Sequence, residues 1–93
     1  MLKIKYTAQF KKDYKKAISK GCNIKDLTCV INLLMNRETL PVIYKDHKLN
    51  DSRNYKNARE CHIKPDWLLI YQVEDKELIL KLIRTGSHSE VFK

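Results

Sequence analysis

Leu2, Ile4 and Tyr6 alternate with Lys3 and Lys5, a period of two that predicts a short first strand. The period changes at Thr7, whose hydroxyl can cap a helix. Phe10, Tyr14, Ala17 and Ile18 follow at i, i+4, i+7 and i+8, so one helical face is apolar. Lys11, Lys12, Lys15, Lys16 and Lys20 fall on the other side, and Gly21 suits a C-terminal stop. Asn23 with Asp26 three residues on resembles a capping arrangement. Ile24, Leu27, Val30, Ile31 and Leu34 then give a second amphipathic helix that ends near Met35 and Asn36. Two helices joined by so few residues make an αα-hairpin.

Residues 37–54 hold no sustained period; they carry Pro41, mixed charges and the run Asn50, Asp51, Ser52. A structureless stretch of that length in a small domain is more often functional than not. Strand patterns return at Tyr55 to Ile63, and Lys64, Pro65 and Asp66 form a corner. Trp67 to Val73 is the most strand-like run of the chain, rich in aromatic and branched residues. Glu74, Asp75 and Lys76 make a tight connection to a strand over Glu77 to Arg84, and Thr85, Gly86 and Ser87 turn out of it. The order βααβββ, with helices segregated from an antiparallel meander, predicts an α+β layer architecture in a single domain over residues 1–93.

Charge changes this picture. The net charge is +8, and residues 1–25 carry eight lysines against Asp13 alone. The excess is therefore an N-terminal feature, either the footprint of a polyanionic partner or a solvated helix surface. The chain holds no apolar run of about 18 residues, so no membrane span is expected, and the first residues lack the apolar stretch of a signal peptide. Cys22, Cys29 and Cys61 are odd in number and form no C-x-x-C pair, so reduced thiols in the cytoplasm are expected. Cys61 beside His62 admits a metal or thiolate reading, but no ligand pair has zinc spacing.

All three histidines, His47, His62 and His88, lie in the loop or the sheet half of the chain. RNA can be cleaved by its own 2′-hydroxyl if a protein removes that proton, donates one to the leaving 5′-oxygen and stabilises the phosphorane. Histidine titrates in the range this needs, an arginine fork fits the phosphate, and an exposed aromatic can hold a splayed base. His47, His62, His88, Asp66, Arg84, Trp67 and Phe92 supply these types. Each has a plainer reading: Trp67 as core, Arg84 in a salt bridge to Glu60 or Asp66, Asp66 as a turn residue, a histidine as filler.

Three blocks sharpen the choice: Leu40-Pro41 with Tyr44 to Leu49, Tyr55 with Arg59 to Tyr71, and Arg84 to Phe92. In these residues the chain resembles the YafQ branch of the RelE-type bacterial toxins, the toxin halves of type II toxin–antitoxin pairs. The resemblance spans the chain in element order; it is specific over residues 40–93 and loose in the helices. It implies a compact sheet on an N-terminal helical hairpin and ribosome-dependent cleavage of translated mRNA without a metal or other cofactor. By position it makes His88 the general acid. His62 or His47 with Asp66 would be the base or orient the 2′-hydroxyl. Arg84 would stabilise the phosphorane, and Trp67 and Phe92 would shape the site or stack. Glu60 ranks second, because the family often has aspartate there. The resemblance also implies an antitoxin partner, and it turns the lysines of the first helix toward the RNA of the 70S ribosome and mRNA. The alternatives are a ParE-like toxin that inhibits gyrase by binding, and a basic RNA-binding module without catalysis.

Overall fold

A computed structural model of the chain describes residues 1–52 and 55–92. The elements run β1 (Lys3–Tyr6), α1 (Ala8–Ser19), α2 (Ile24–Met35), a 3₁₀ turn (Val42–Tyr44), β2 (His47–Lys48), β3 (Arg59–Lys64), β4 (Trp67–Glu74), β5 (Ile79–Gly86) and α3 (His88–Val91). The expected α+β architecture is present. Residues 53 and 54 of the stretch read as irregular lie outside the described residues.

The helical hairpin forms where its pattern places it. The Thr7 hydroxyl accepts from the backbone N–H of Phe10 and donates to Leu82 and Ile83 carbonyls, so one side chain caps α1 and pins it to β5. Gly21 follows α1 at φ +80°, a conformation glycine adopts without strain. Asn23 caps α2 by accepting from Lys25 N–H; Asp26 instead pairs with Lys64 at 3.3 Å. The buried stripe of α1 is Phe10, Asp13 and Ala17, while Ile18, expected on that face, is half-exposed. A carboxylate therefore occupies a position that periodicity assigns to the core.

The sheet order is β1-β5-β4-β3-β2. The meander β3-β4-β5 is antiparallel, but β1 pairs parallel with β5, so the sheet is mixed rather than antiparallel throughout. The stretch over residues 37–54 also holds more structure than expected, including a short strand that pairs antiparallel with β3. Such pairings depend on distant partners, which alternation alone does not name.

β4 is central and buried on both faces. Trp67, Leu69 and Tyr71 join the core under the helices with Phe10, Leu27, Val30, Leu80 and Leu82. Leu68 and Ile70 point the other way, into a smaller cluster with Tyr55, Ala58 and Val91. That second face is covered by the chain around residue 55 and by α3, and the candidate functional side chains sit at its margin. Fully burying one such aliphatic or aromatic side chain contributes about 1.5–3 kcal/mol. No helix among the described residues is long and apolar enough to cross a membrane.

Candidate active site

The two-residue period of β3 sends Cys61 and Ile63 under the helices and Glu60 and His62 to the opposite face. His47 on β2 lies directly opposite Glu60 in the register. Glu60 is buried, and its Oε1 lies 3.1 Å from His62 Nε2 and 3.6 Å from His47 Nε2. A buried carboxylate between two imidazoles is a charge that they can neutralise. His62 Nδ1 faces the Pro65 carbonyl at 3.3 Å, so both ring nitrogens of His62 face acceptors. His47 Nδ1 donates to the Lys45 carbonyl at 2.8 Å. The loop carrying His47 is fixed by its neighbour Asp46, which accepts from Tyr71 Oη at 2.5 Å and from Arg59 Nη2 at 3.0 Å. Burial and the Asp46 carboxylate push the Tyr71 phenol well above its ordinary range, so it stays a donor.

α3 delivers His88. Ser87 caps it, accepting from Glu90 N–H, while Glu90 Oε1 accepts from Ser87 N–H. Gly86, at φ +152°, leaves room for this return: a Cβ there would stand 3.0 Å from Glu90 Oε1. The Ser87-x-x-Glu90 spacing is a capping box legible in the sequence, and reading the segment only as a turn missed the helix. Asp66, in the turn between β3 and β4, accepts from His88 N–H at 3.0 Å and from His88 Nδ1 at 2.9 Å. The backbone N–H first and the ring second hold the Asp66 carboxyl below its ordinary range. An Nδ1–H donated to Asp66 directs Nε2 outward.

The rings of His47, His62, His88 and Phe92 form a continuous row, with successive centroids 6.5, 5.6 and 6.2 Å apart. Phe92 is 41% exposed and leans edge-on against Tyr55, whose hydroxyl donates to the Val91 carbonyl and anchors α3. Tyr55, missed as a site residue, is what seats the last turn.

Trp67 and Arg84 stand apart from this row. Trp67 is buried in the helix-side core, with Nε1 donating to Thr85 Oγ1 at 2.9 Å, so its ring is covered and offers no open stacking face. Arg84 follows a β-bulge that leaves Ile83 unpaired and resets the alternation of β5. Its partner is neither Glu60 nor Asp66 but Asp13 of α1, at 2.9 Å to Nε and 3.1 Å to Nη2. Asp13 also accepts from Thr85 N–H at 3.1 Å. Nε and Nη2 are thus directed at Asp13, and the Tyr55 hydroxyl also faces the guanidinium. With Asp66, Ser87 and Lys12, Arg84 lines a cleft of about 280 Å³ between α1 and the C-terminal segment. The signal for Asp13 was available: it is the one acid among eight lysines, three residues after Phe10 on the apolar stripe.

The basic face of α1 is divided. Lys16 and Lys20 pair with Glu90 at 2.5 and 3.2 Å, and Lys12 borders the same cleft. Lys11 and Lys15 line a separate groove with Ile4, Tyr6 and Tyr14. Lys16, with the Ser87 N–H next, holds the Glu90 carboxyl far below its ordinary range. A carboxyl depressed by folding adds stability above its unfolded pKa, and that stability is lost as pH falls through the acid range. The lysines are at least half-exposed, so the contribution is about 1 kcal/mol or less. Glu90→Gln should lower Tm at neutral pH by up to about 4–8 °C, with the gap to wild type closing below about pH 4. Calorimetry of both proteins across that pH range checks it.

Cys61 is fully buried, and burial pushes its thiol up to about 12, which removes the thiolate reading. Glu60, His62 and His88 offer ligand atoms that all lie within 4.8 Å of one another, a spacing a divalent ion could also use.

A mixed sheet with helices on one face and a row of histidines with two carboxylates at the margin of the other is the build of a RelE-type toxin. A family model described as "Bacterial toxin of type II toxin-antitoxin system, YafQ" matches residues 2–93, and the chain belongs to that family. It is 40% identical over 90 residues to the mRNA interferase toxin YafQ of Escherichia coli strain K12, covering 96% of this chain and 94% of that one. Among solved structures, a metal-bound toxin from Helicobacter pylori superposes with a TM-score of 0.92 at 43% identity, covering 99% of this chain and 100% of that one. YafQ in the E. coli DinJ–YafQ complex superposes with a TM-score of 0.89 at 38% identity over the full length of both.

Proposed function

We propose that this chain is an mRNA endoribonuclease that cuts translated message on the 70S ribosome and is held inactive by a cognate antitoxin in the cytoplasm. Its mRNA-cleaving relatives support the activity, and the DinJ–YafQ complex supports the antitoxin. The observation that carries the chemistry is the Asp66–His88 pair beside the Glu60–His62–His47 cluster.

In the proposed reaction the 2′-oxygen attacks the adjacent phosphorus, the bond to the 5′-oxygen breaks, and a 2′,3′-cyclic phosphate forms. His88, charged and held through Nδ1 by Asp66, gives its Nε2 proton to the leaving 5′-oxygen. The 2′-proton passes to the Glu60–His62–His47 cluster, with His47 the more exposed member. Arg84 keeps its remaining donors for the phosphorane oxygens. Phe92 offers an exposed ring to a base. Lys12, Lys16 and Lys20 flank the cleft and would meet RNA phosphates, Lys16 and Lys20 by exchanging Glu90 for them; Lys11 and Lys15 would extend that contact on the second flank. No step is routed through a metal. An ion held by Glu60, His62 and His88 would withdraw the nitrogen lone pairs from proton transfer. Gyrase inhibition by binding, or RNA binding alone, gives no role to so complete a set of proton-transfer groups.

Mapping both RNA ends in a translating extract tests this. Codon-phased cuts that end in 2′,3′-cyclic phosphate or 3′-phosphate, absent with His88→Ala, are the expected result. Intact mRNA with translation unaffected would return the reading to gyrase inhibition or plain binding.

A further inference from the structure

The 3₁₀ turn Val42–Tyr44 sets two aliphatic side chains in solvent: Val42 is 92% exposed and Ile43 79%. Such exposure has a cost unless something covers it. Ile43 is one wall of a cleft of about 420 Å³, with Tyr44 and Lys45 beside it and His62, Lys64 and Pro65 across from it. His62 is also a member of the histidine row, so the cleft opens directly onto the candidate reaction centre.

We propose that this cleft is a nucleobase subsite for one of the two nucleotides flanking the scissile phosphate, the other facing Phe92. This rests on the endoribonuclease reading and adds to it a determinant of sequence preference. Three properties carry it. The cleft is lined in large part by apolar surface, with Ile43, Tyr44 and Pro65 the side chains a base would contact. The rim is cationic: Lys45 is exposed, and Lys64 keeps 61% of its side-chain surface while paired with Asp26. Apolar walls with an ammonium rim complement a base attached to its phosphate. Finally, the cleft is preformed. The turn is closed by Tyr44 N–H on the Pro41 carbonyl and Lys45 N–H on the Val42 carbonyl, and the Lys45 carbonyl accepts from His47. The same short loop thus positions a histidine and lines the cleft, which links base occupancy to the placement of His47.

The test separates binding from cleavage. The His88→Ala protein is titrated with hexaadenylate and with hexauridylate while backbone amide shifts are followed by NMR. Saturable shifts at residues 43–45 and 62–64 are expected, with affinity about tenfold or more weaker when Ile43→Asp is added and partly weaker with Ile43→Ala. Ile43 is exposed, and unchanged thermal unfolding of both variants verifies the fold. In the translating extract, Ile43→Asp should relax nucleotide preference at one position beside the cut and raise KM more than it lowers kcat. Shifts confined to other residues, or an unchanged affinity and cut pattern in Ile43→Asp, would overturn the subsite. Loss of antitoxin capture with RNA affinity unchanged would also overturn it, making the turn a protein contact. RNA bound here by a wild-type chain that cuts no message would uphold the subsite and refute the endoribonuclease reading.

Discussion

His88→Ala should lower kcat for cleavage of ribosome-bound mRNA by about 10²–10⁴ with little change in KM, read by single-turnover kinetics on programmed ribosomes. The ring touches Asp66 and faces His62 and Phe92 but is half-exposed, so its removal leaves no buried cavity and no unpaired buried group. A fall in kcat therefore reports proton transfer rather than unfolding. Asp66→Asn should produce a smaller loss, about tenfold to a hundredfold, because the amide still accepts from the His88 N–H but no longer balances an imidazolium. Equal kcat in wild type and His88→Ala would remove His88 from the reaction.

Much of this was legible in the chain, because it rests on short-range pattern. The Thr7 and Asn23 caps, the Gly21 stop and the continuous apolar run of β4 follow from local chemistry. So does the shared face of Glu60 and His62, two residues apart on one strand. The parallel partnership of β1 with β5 is a different matter, because Lys3 meets Ile79 across most of the chain's length. Alternation says that β1 is a strand and nothing about its neighbour. The short β2 was hidden for the same reason, since two residues carry no period. Trp67 and Arg84 show a third kind of limit: the sequence offers an indole and a guanidinium as binding chemistry but does not name the partner each keeps inside the fold. Thr85 satisfies the first and Asp13 the second.

Arg84→Ala and Asp13→Asn should show that the α1–β5 link belongs to the reaction as well as to the fold. Arg84→Ala is expected to lower kcat by about 10²–10³, the usual loss of one donor to a developing oxyanion. Arg84→Lys should recover little of it, since one ammonium cannot bridge Asp13 and a phosphate in the guanidinium plane. Asp13→Asn keeps the shape and an acceptor for Thr85 N–H, so the protein should stay folded while kcat falls about tenfold as the fork loses its anchor. Asp13→Ala is the contrasting case: it leaves a half-buried guanidinium uncompensated and a buried N–H unpaired, with a loss of about 2–4 kcal/mol in urea unfolding. The decisive measurement is the double variant. If Asp13 acts only through Arg84, then adding Asp13→Asn to Arg84→Ala should cost no further activity. Additive losses would separate them, leaving Asp13 a brace for α1 against the edge of β5 and Arg84 dependent on some other support.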